Sequence, residues 1–379
     1  MKQRLVALDV LRGLTIGGMI LVNTPGTWSH VYAPLRHAVW NGLTPADLVF
    51  PFFLFMMGMS MYISLRKTDF RLDRPLLGRI LRRTALIYLA GTFVYGLATF
   101  LGTLKGAMFD PELAGSPWRA AFASLARVRL TGVLQRLALC YGIGAVAVTT
   151  LRHRFVPWLV GALLVLYWGV LLAGDGFVYG PENILSRVDV ACVGLARMYV
   201  DNGIDPEGLL GTIPSVAQLL LGFWVGRICL DGSPVADRLN RLFVLAGLLL
   251  LSGLLLHYGC PLNKKVWSPS FVLATSGFAA LLLALLVWFV DVRGRLRRTT
   301  AFEVFGVNPL FCYLFSEVMA ILFDWLPLGG QSIHGRIYAL LTGLLGDGCA
   351  TSLLYAVLFT AMCWGVGYAL YRRRIYIRI

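Results

Sequence analysis

The chain contains about ten apolar stretches, each long enough to cross the hydrocarbon core of a bilayer as a helix of roughly 20 residues. They lie at about 5–24, 47–65, 80–101, 133–150, 157–176, 213–230, 242–259, 270–290, 305–326 and 350–371. A backbone that crosses lipid must satisfy its own hydrogen bonds, so these runs predict helices rather than open sheet. With 58% hydrophobic and only 14% charged residues, the composition also excludes an ordinary soluble domain. We predict an all-α integral membrane protein, a polytopic bundle of about ten transmembrane helices.

Lysine and arginine residues cluster at alternate ends of the predicted spans. The clusters lie at Lys2 and Arg4, from Arg66 to Arg83, at Arg152 and Arg154, from Arg227 to Arg241, from Arg293 to Arg298 and from Arg372 to Arg378. The positive-inside rule therefore predicts that these connectors and both termini are cytoplasmic. Topology and attraction to anionic lipid then explain the net charge of +15. Nucleic-acid binding is not expected, because the basic residues are scattered over short connectors without a stacking motif.

The connectors on the opposite, outer side are longer and carry most of the prolines. They are residues 25–46, 102–132, 177–212, 260–269 and 327–349. Loops of this kind are expected to fold over a cavity, so function is expected on this side. Within them, residues 332–346 predict either an interfacial helix or a half-span.

The chain shows no sequence repeat, no low-complexity tract and no signal-peptide cleavage site, so residues 1–379 are expected to form a single transmembrane domain. Its seven cysteines include no CxxC pair and no histidine partner at metal-ligand spacing. We therefore expect no metal centre.

Residues 37–51, HAVWNGLTPADLVFP, place polar groups at the entrance of a predicted span. An ionisable group there costs free energy unless it is paired or hydrated, so it indicates a functional site. Asn41 and Asp47 follow His37 at the start of a helix and are within reach of fixing its tautomer, whereas His334 has no clear partner. A neutral imidazole can accept a proton from an amine or hydroxyl, or attack an acyl group. His37 is therefore the principal catalytic candidate, with Asp47 as its partner.

Further polar residues lie within the predicted spans or at their ends. Asp9 and Arg12 are one helical turn apart, which favours an ion pair of structural or catalytic use. Asn23 ends the first span before Pro25 and Gly26, where freed backbone groups can be satisfied in a cavity. The others are Gln135, Arg136, Asn308 and Glu317. Helix-to-helix hydrogen bonds explain any one of them alone, but together they predict a polar cavity.

Six blocks of the sequence resemble those of the heparan-α-glucosaminide N-acetyltransferases and their bacterial relatives. They are LDVLRGL, LVNTPG, HAVWNGLTPADLVFPFFLFMMG, GVLQRL, DPEGLLGTIPSVAQLLLG and CPLNKKVWSPSF, in that order along most of the chain. The resemblance implies a transmembrane acyltransferase that takes acetyl from cytoplasmic acetyl-CoA and delivers it to an amino sugar on the far side of the membrane. It also implies that the family's active-site histidine is His37 and that its asparagine at the end of the first helix is Asn23.

The resemblance suggests roles for the remaining candidates. The charged nucleotide of acetyl-CoA is expected to stay at the basic cytoplasmic mouth while the pantetheine arm reaches inward. The candidates for an acyl pocket are Asp9, Arg12, Asn41, Gln135, Arg136 and Asn308, and Asn23 or Arg136 would hold the developing oxyanion. The candidates for binding the acceptor are Glu207, Asn263, Lys264 and Trp267. His37 either becomes acetylated or deprotonates the acceptor amine during direct transfer, and both routes stay open.

Two other functions stay open as alternatives. A secondary transporter of a small sugar or organic solute also has broken helices and polar residues at depth, although residues 1–190 and 191–379 lack the expected repeat symmetry. A polysaccharide O-acetyltransferase often begins with a similar D-x-x-R-G turn, although the WNGLT and DPEGLLGT blocks argue against it. The expected location is the bacterial inner membrane. The expected partners are acetyl-CoA, an amino-sugar or glycan acceptor, the lipid bilayer and a possible second copy in a homodimer.

Overall fold

The computed structural model describes residues 6–109, 116–294, 299–328 and 330–377. Within them the regular secondary structure is almost entirely helical. The helices are α1 (Val6–Asn23), α2 (Val49–Leu65), α3 (Arg74–Phe109), α4 (Pro117–Ser124), α5 (Val133–Thr150), α6 (Val156–Ala173), α7 (Ile184–Cys192), α8 (Thr212–Cys229), α9 (Val235–Leu256), α10 (Pro269–Leu286), α11 (Thr300–Val307), α12 (Pro309–Trp325), α13 (Ile333–Leu345) and α14 (Cys349–Arg372). One antiparallel hairpin joins β1 (Pro327–Leu328) to β2 (Gln331–Ser332). The predicted basic residues Lys2, Arg4, Arg295, Arg297, Arg298 and Arg378 lie outside the described residues.

Nine helices of the described chain are long and apolar enough to cross a membrane, which confirms the predicted all-α polytopic architecture. The span predicted at 305–326 differs, because α11 and α12 form a pair bent by 83°. Asn308, between the two helices, has a non-helical backbone with φ −124° and ψ 55°. Pro309 follows it, and proline disfavours a helical residue before it and offers no backbone N–H. If the bent pair counts as one span, the total is ten.

α3 is longer than the sequence predicted, whereas α13 has the length of the interfacial helix or half-span predicted at 332–346. The predicted span at 80–101 lies within α3, whose 36 residues extend about 54 Å and exceed the thickness of a hydrocarbon core. α13 covers most of 332–346 but has only 13 residues, or about 20 Å. It is therefore too short to form an eleventh full span.

Glycine contacts hold the centre of the bundle together. A Cβ added at Gly222 of α8 would lie 1.9 Å from the carbonyl oxygen of Phe55 in α2. A Cβ added at Gly58 of α2 would lie 1.8 Å from the carbonyl oxygen of Leu219 in α8. These backbones approach each other as small residues allow in membrane bundles. The entrance of α2 is consequently supported by a rigid helix pair.

Three connectors meet at one end of the bundle, which we call the His37 face. They are residues 24–48, 174–211 and 257–268. Trp40 Nε1 donates to the carbonyl oxygen of Phe177 at 3.0 Å, and Gly42 N donates to that of Leu262 at 2.8 Å. The connectors therefore form one folded layer over the helix ends, as predicted for the outer loops.

Candidate active site

The turn before α2 is built around the buried carboxylate of Asp47. Its Oδ2 accepts hydrogen bonds from Thr44 N at 3.1 Å, Thr44 Oγ1 at 3.0 Å and Ala38 N at 3.1 Å. Asp47 N in turn donates to the Thr44 carbonyl oxygen at 3.0 Å. Thr-Pro-Ala-Asp is a capping sequence in which Pro45 occupies the first helical position. Local sequence thus fixes the position of the carboxylate.

His37 contacts the other oxygen of this carboxylate. Its Nδ1 lies 2.8 Å from Asp47 Oδ1. Three N–H and O–H donors on Oδ2 favour the ionised carboxylate, which can only accept, so Nδ1 carries the proton and donates. Nε2 is then left with its lone pair. The imidazole is 40% exposed, whereas Asp47 is fully buried. Asp47 therefore orients the histidine from its buried side, and the opposite side of the ring stays accessible.

The 257–268 connector brings a lysine to this pair. Asn263 Nδ2 donates to Asn41 Oδ1 at 3.1 Å, and Asn263 Oδ1 accepts from Val266 N at 3.1 Å, which fixes the loop against the His37 turn. Lys264 Nζ lies 3.1 Å from His37 Nδ1, 3.4 Å from His37 Nε2 and 3.5 Å from Asp47 Oδ1. Burial lowers the pKa of Lys264, and the neighbouring Lys265 acts in the same direction, whereas Asp47 and Glu207 oppose it.

A cavity of about 500 Å³ opens in front of His37, a volume typical of small-molecule sites. Its polar lining comprises Asn23, His37, Arg129, Tyr179, Tyr199, Asp201, Glu207, Lys264, Lys265 and Tyr313. Apolar residues from α1 and α2, among them Met19, Val22 and Phe50, close its inner wall. The side chains of Asn23 and Tyr313 lie beside the carboxyl group of Glu317, deeper in the bundle.

Two charged clusters form the rim of the cavity. In one, Arg129 bonds Glu207 at 2.7 Å and also pairs with Asp205. Burial acts to lower the pKa of Arg129, but Glu207, Tyr95 and Asp205 raise it overall, so the guanidinium stays charged. This cluster holds the 205–211 loop beside the cavity.

The second rim cluster is aromatic as well as charged. Lys265 pairs with Asp201 and donates to Tyr179 Oη at 3.1 Å, and Tyr179 Oη donates to Asp201 Oδ1 at 2.6 Å. The indole of Trp40 stacks on Tyr179 with ring centroids 4.6 Å apart. The rim therefore presents hydroxyl groups, carboxylates and aromatic surface together.

The structure places seven of the predicted site residues at the cavity or in the turns that support it. Those lining it are His37, Asn23, Lys264 and Glu207, while Asp47 and Asn41 support His37 and its neighbouring loop. Asn263 is fully buried and acts on the loop that carries Lys264.

The other predicted residues do not line this cavity. Asp9 and Arg12 form a 3.1 Å ion pair in α1, about 21 and 16 Å along the helix from Asn23. Arg12 also donates to Ser60 of α2, so the pair joins the two helices. Asn308 bonds the chain's last described residues through Ile375 O at 2.8 Å and Ile377 N at 2.9 Å. Nothing in these contacts places the three residues in an acyl pocket next to His37.

Arg136 and Trp267 are core residues in this structure. Arg136 is 1% exposed, donates to the Gly208 carbonyl oxygen at 2.8 Å and lies over the Trp267 ring at 5.2 Å. Trp267 is also 1% exposed and donates from Nε1 to Gln218 at 3.0 Å. Gln135, beside Arg136, is equally buried. The indole of Trp267 packs against Phe50 and Phe271 in the core and does not line the cavity.

Sequence reasoning missed most of the rim. The missed lining residues are Arg129, Tyr179, Tyr199, Asp201, Lys265 and Tyr313. Most lie in irregular connectors, where no periodicity indicates which way a side chain points. The run YVDNGIDPEG at 199–208 is polar enough to have been singled out as a whole.

Comparison with known proteins identifies the family of the chain. Residues 4–257 match the catalytic family described as "Heparan-alpha-glucosaminide N-acetyltransferase, catalytic". Two curated relatives named heparan-alpha-glucosaminide N-acetyltransferase, from Mus musculus and Homo sapiens, are 27% and 28% identical to this chain. Both alignments cover 99% of this chain. The chain spans about 60% of the length of each. The chain belongs to the heparan-alpha-glucosaminide N-acetyltransferase catalytic family.

Proposed function

We propose that this chain is an N-acetyltransferase that moves acetyl from acetyl-CoA to the amine of an amino sugar or glycan in the His37 cavity. The observation that carries the proposal is the pairing of His37 with buried Asp47, which leaves Nε2 open to the cavity. An imidazole oriented in this way either removes a proton from the attacking amine or receives the acetyl group itself. The family membership supports the same chemistry.

The rim supports a sugar as the acceptor. The carboxylates of Asp201 and Glu207 are paired with Lys265 and Arg129, and together with the hydroxyls of Tyr179 and Tyr199 they offer hydrogen bonds to sugar hydroxyls. Aromatic surface next to polar groups suits a ring with one apolar face and several hydroxyls. Lys264, predicted to bind the acceptor, lies against the imidazole of His37.

The donor is proposed to enter from the opposite end of the bundle. Basic residues gather there, and the positive-inside rule makes that end cytoplasmic, with the chain in a bacterial inner membrane. The charged nucleotide of acetyl-CoA would stay at this end, since hydrocarbon excludes it. At the far end of α1, Asn23 offers an amide N–H to the oxyanion that forms on the acetyl carbon.

The test is acetyl transfer by purified protein in liposomes, with radioactive acetyl-CoA and a panel of amino sugars on opposite sides of the membrane. Wild-type protein is expected to N-acetylate at least one sugar. His37→Ala is expected to bind acetyl-CoA but lose transfer by roughly 10² to 10⁴. His30→Ala is the matched control, because His30 lies on the same connector but does not line the cavity.

Each alternative has its own outcome. Transfer by folded His37→Ala at the wild-type rate would remove His37 from the reaction. Accumulation of unmodified sugar inside the liposomes would identify a transporter. An acetyl ester in place of an amide would identify an O-acetyltransferase.

A further inference from the structure

The proposed N-acetylation has a proton balance that one histidine does not satisfy. An amine entering as R–NH3+ has no free lone pair until it loses one proton, and it loses a second after the C–N bond forms. When the C–S bond breaks, its electron pair stays on sulfur, which takes up one proton. The balance is R–NH3+ plus acetyl-S-CoA giving R–NH–acetyl plus HS-CoA plus H+. One proton must therefore leave the site.

His37 and Asp47 together accept only one of the two protons. Nδ1 of His37 is already the donor to Asp47, so Nε2 is the only free basic position on the ring. Asp47 is fully buried, and its second oxygen accepts three hydrogen bonds from Thr44 and Ala38. Protonating that carboxylate would disrupt the turn that positions His37.

We propose that Lys264, in its neutral form, is the second proton acceptor and frees the lone pair of the incoming amine. Its Nζ lies 3.4 Å from His37 Nε2, and its side chain lines the cavity with 17% exposure. An acceptor nitrogen approaching Nε2 therefore also approaches Lys264. Lys264 takes the ammonium proton and returns it to solvent through the cavity mouth. Nε2 takes the second proton and passes it to the departing thiolate.

The other basic groups on the described cavity wall already have partners. Glu207 bonds Arg129 at 2.7 Å. Asp201 accepts from Tyr179 and pairs with Lys265. Lys264 also pairs with a carboxylate, but at the longer distance of 3.5 Å, and that carboxylate belongs to Asp47, which His37 Nδ1 already contacts at 2.8 Å.

The surroundings of Lys264 favour its neutral form. The ionisable groups facing it are His37 and Asp47 from the turn before α2, Glu207 from the 205–211 loop, and its neighbour Lys265. Burial, the largest effect, lowers the pKa of Lys264 despite the two carboxylates. Because its pKa is lowered, Lys264 can release and take up a proton at a lower pH than a solvated lysine can.

The experiment measures kcat for an amino sugar over a range of pH, at saturating acceptor, in the liposome assay. Lys264→Arg keeps the positive charge but does not deprotonate. Its kcat is expected to fall roughly 100-fold or more near neutral pH. The loss should shrink about tenfold per pH unit as the medium deprotonates the amine. Lys264→Gln, which is also unable to act as a base, should show the same trend.

Lys265→Arg is the matched control and should show no such pH-dependent recovery, because Lys265 contacts Asp201 and Tyr179.

The outcomes separate this proposal from the one on which it rests. If wild-type protein acetylates no amine, the proposed function fails. If wild-type protein is active and folded Lys264→Arg loses the same factor at every pH, Lys264 is not a base and the proposal is overturned. Acetyl-CoA binding and melting temperature on the same preparations show whether each variant is folded.

Discussion

Thr44 and Asp47 form a reciprocal hydrogen-bonded pair in the turn before α2, and this pair leaves one carboxylate oxygen of Asp47 for His37. Thr44 N and Oγ1 both donate to Oδ2 of Asp47, while Oδ1 faces the imidazole 2.8 Å away. Asp47, which stabilises the turn that leads into α2, is therefore also the residue that orients the histidine. The same carboxylate thus stabilises the turn and positions the histidine.

Asp47→Asn is expected to impair both stability and turnover. An amide has a single oxygen, so it cannot accept from Thr44 and from His37 Nδ1 together. Leaving one buried group unpaired costs about 1–3 kcal/mol of unfolding free energy. A disordered imidazole should lower single-turnover transfer by roughly 10².

Thr44→Ala is the matched variant for this test, because it removes one donor to Asp47 and leaves the His37 contact intact. It should cost about 1 kcal/mol, as loss of a helix cap does, with a smaller fall in turnover. Thermal unfolding and transfer would be measured on both proteins. Wild-type turnover in folded Asp47→Asn would contradict the orienting role.

Glu207→Gln is expected to raise the acceptor KM while leaving kcat nearly unchanged. Glu207 lies on the cavity rim in an ion pair with Arg129, where we expect a bound sugar to make the same contact before and during the reaction. Such uniform binding affects KM rather than kcat. Glu182→Gln, at an exposed position outside the cavity, serves as the control. Weakened acetyl-CoA binding in the Glu207 variant would instead assign this residue to the donor side.

The sequence predicts the membrane architecture well because long apolar runs are a strong signal in lipid. It also predicts that His37, Asp47 and Asn23 belong to the candidate site, because polar residues at the ends of apolar runs are unusual. It does not predict the 83° bend at Asn308, because hydropathy is continuous across residues 305–326 even though Pro309 interrupts the helix. Pro309 within this apolar run is the sequence feature that indicates the break between α11 and α12.

The rim of the site could not be predicted in the same way. The ion pair between Arg129 and Glu207 joins residues 78 positions apart, and Lys264 contacts His37 across 227 positions. Such contacts depend on how irregular connectors fold over the bundle, and a single sequence carries no periodicity for that. Conversely, Trp267 is polar enough at its indole nitrogen to suggest a ligand contact, but Gln218 in the core satisfies it.

The orientation of the bundle is predicted from its basic connectors and can be tested by cysteine labelling. In a background with the exposed Cys192 replaced, cysteines at Leu72 and Leu151 should react with an impermeant reagent only from the cytoplasm. Cysteines at Glu182 and Tyr258, on the His37 face, should react only from outside. Labelling of either pair from the other side would invert the proposed donor and acceptor sides.

His334 lies between two hydrogen-bond acceptors, although the sequence suggested no clear partner for it. Nδ1 lies 2.7 Å from Asp324 Oδ1, and Nε2 lies 3.0 Å from the carbonyl oxygen of Gly26. Both ring nitrogens must donate to satisfy both contacts, which only the imidazolium does. His334 therefore joins the end of α12 to the segment that runs from α1 towards His37.

The contact should make stability depend on pH. The hydrogen bond with Asp324 raises the pKa of His334, burial opposes it, and the Gly26 carbonyl adds to the rise. A raised pKa in the folded state means that the stabilisation is fully present below the unfolded value of about 6.5 and is lost as pH rises through the folded value. Wild-type protein should therefore exceed His334→Gln in melting temperature by more at pH 6 than at pH 8.

Lys105→Gln is the control variant. Lys105 donates to the carbonyl oxygen of Asp324 rather than to its carboxylate, so its replacement should not show this pH dependence. A melting-temperature difference that stays constant from pH 6 to 8 would show that His334 is not cationic in the folded protein.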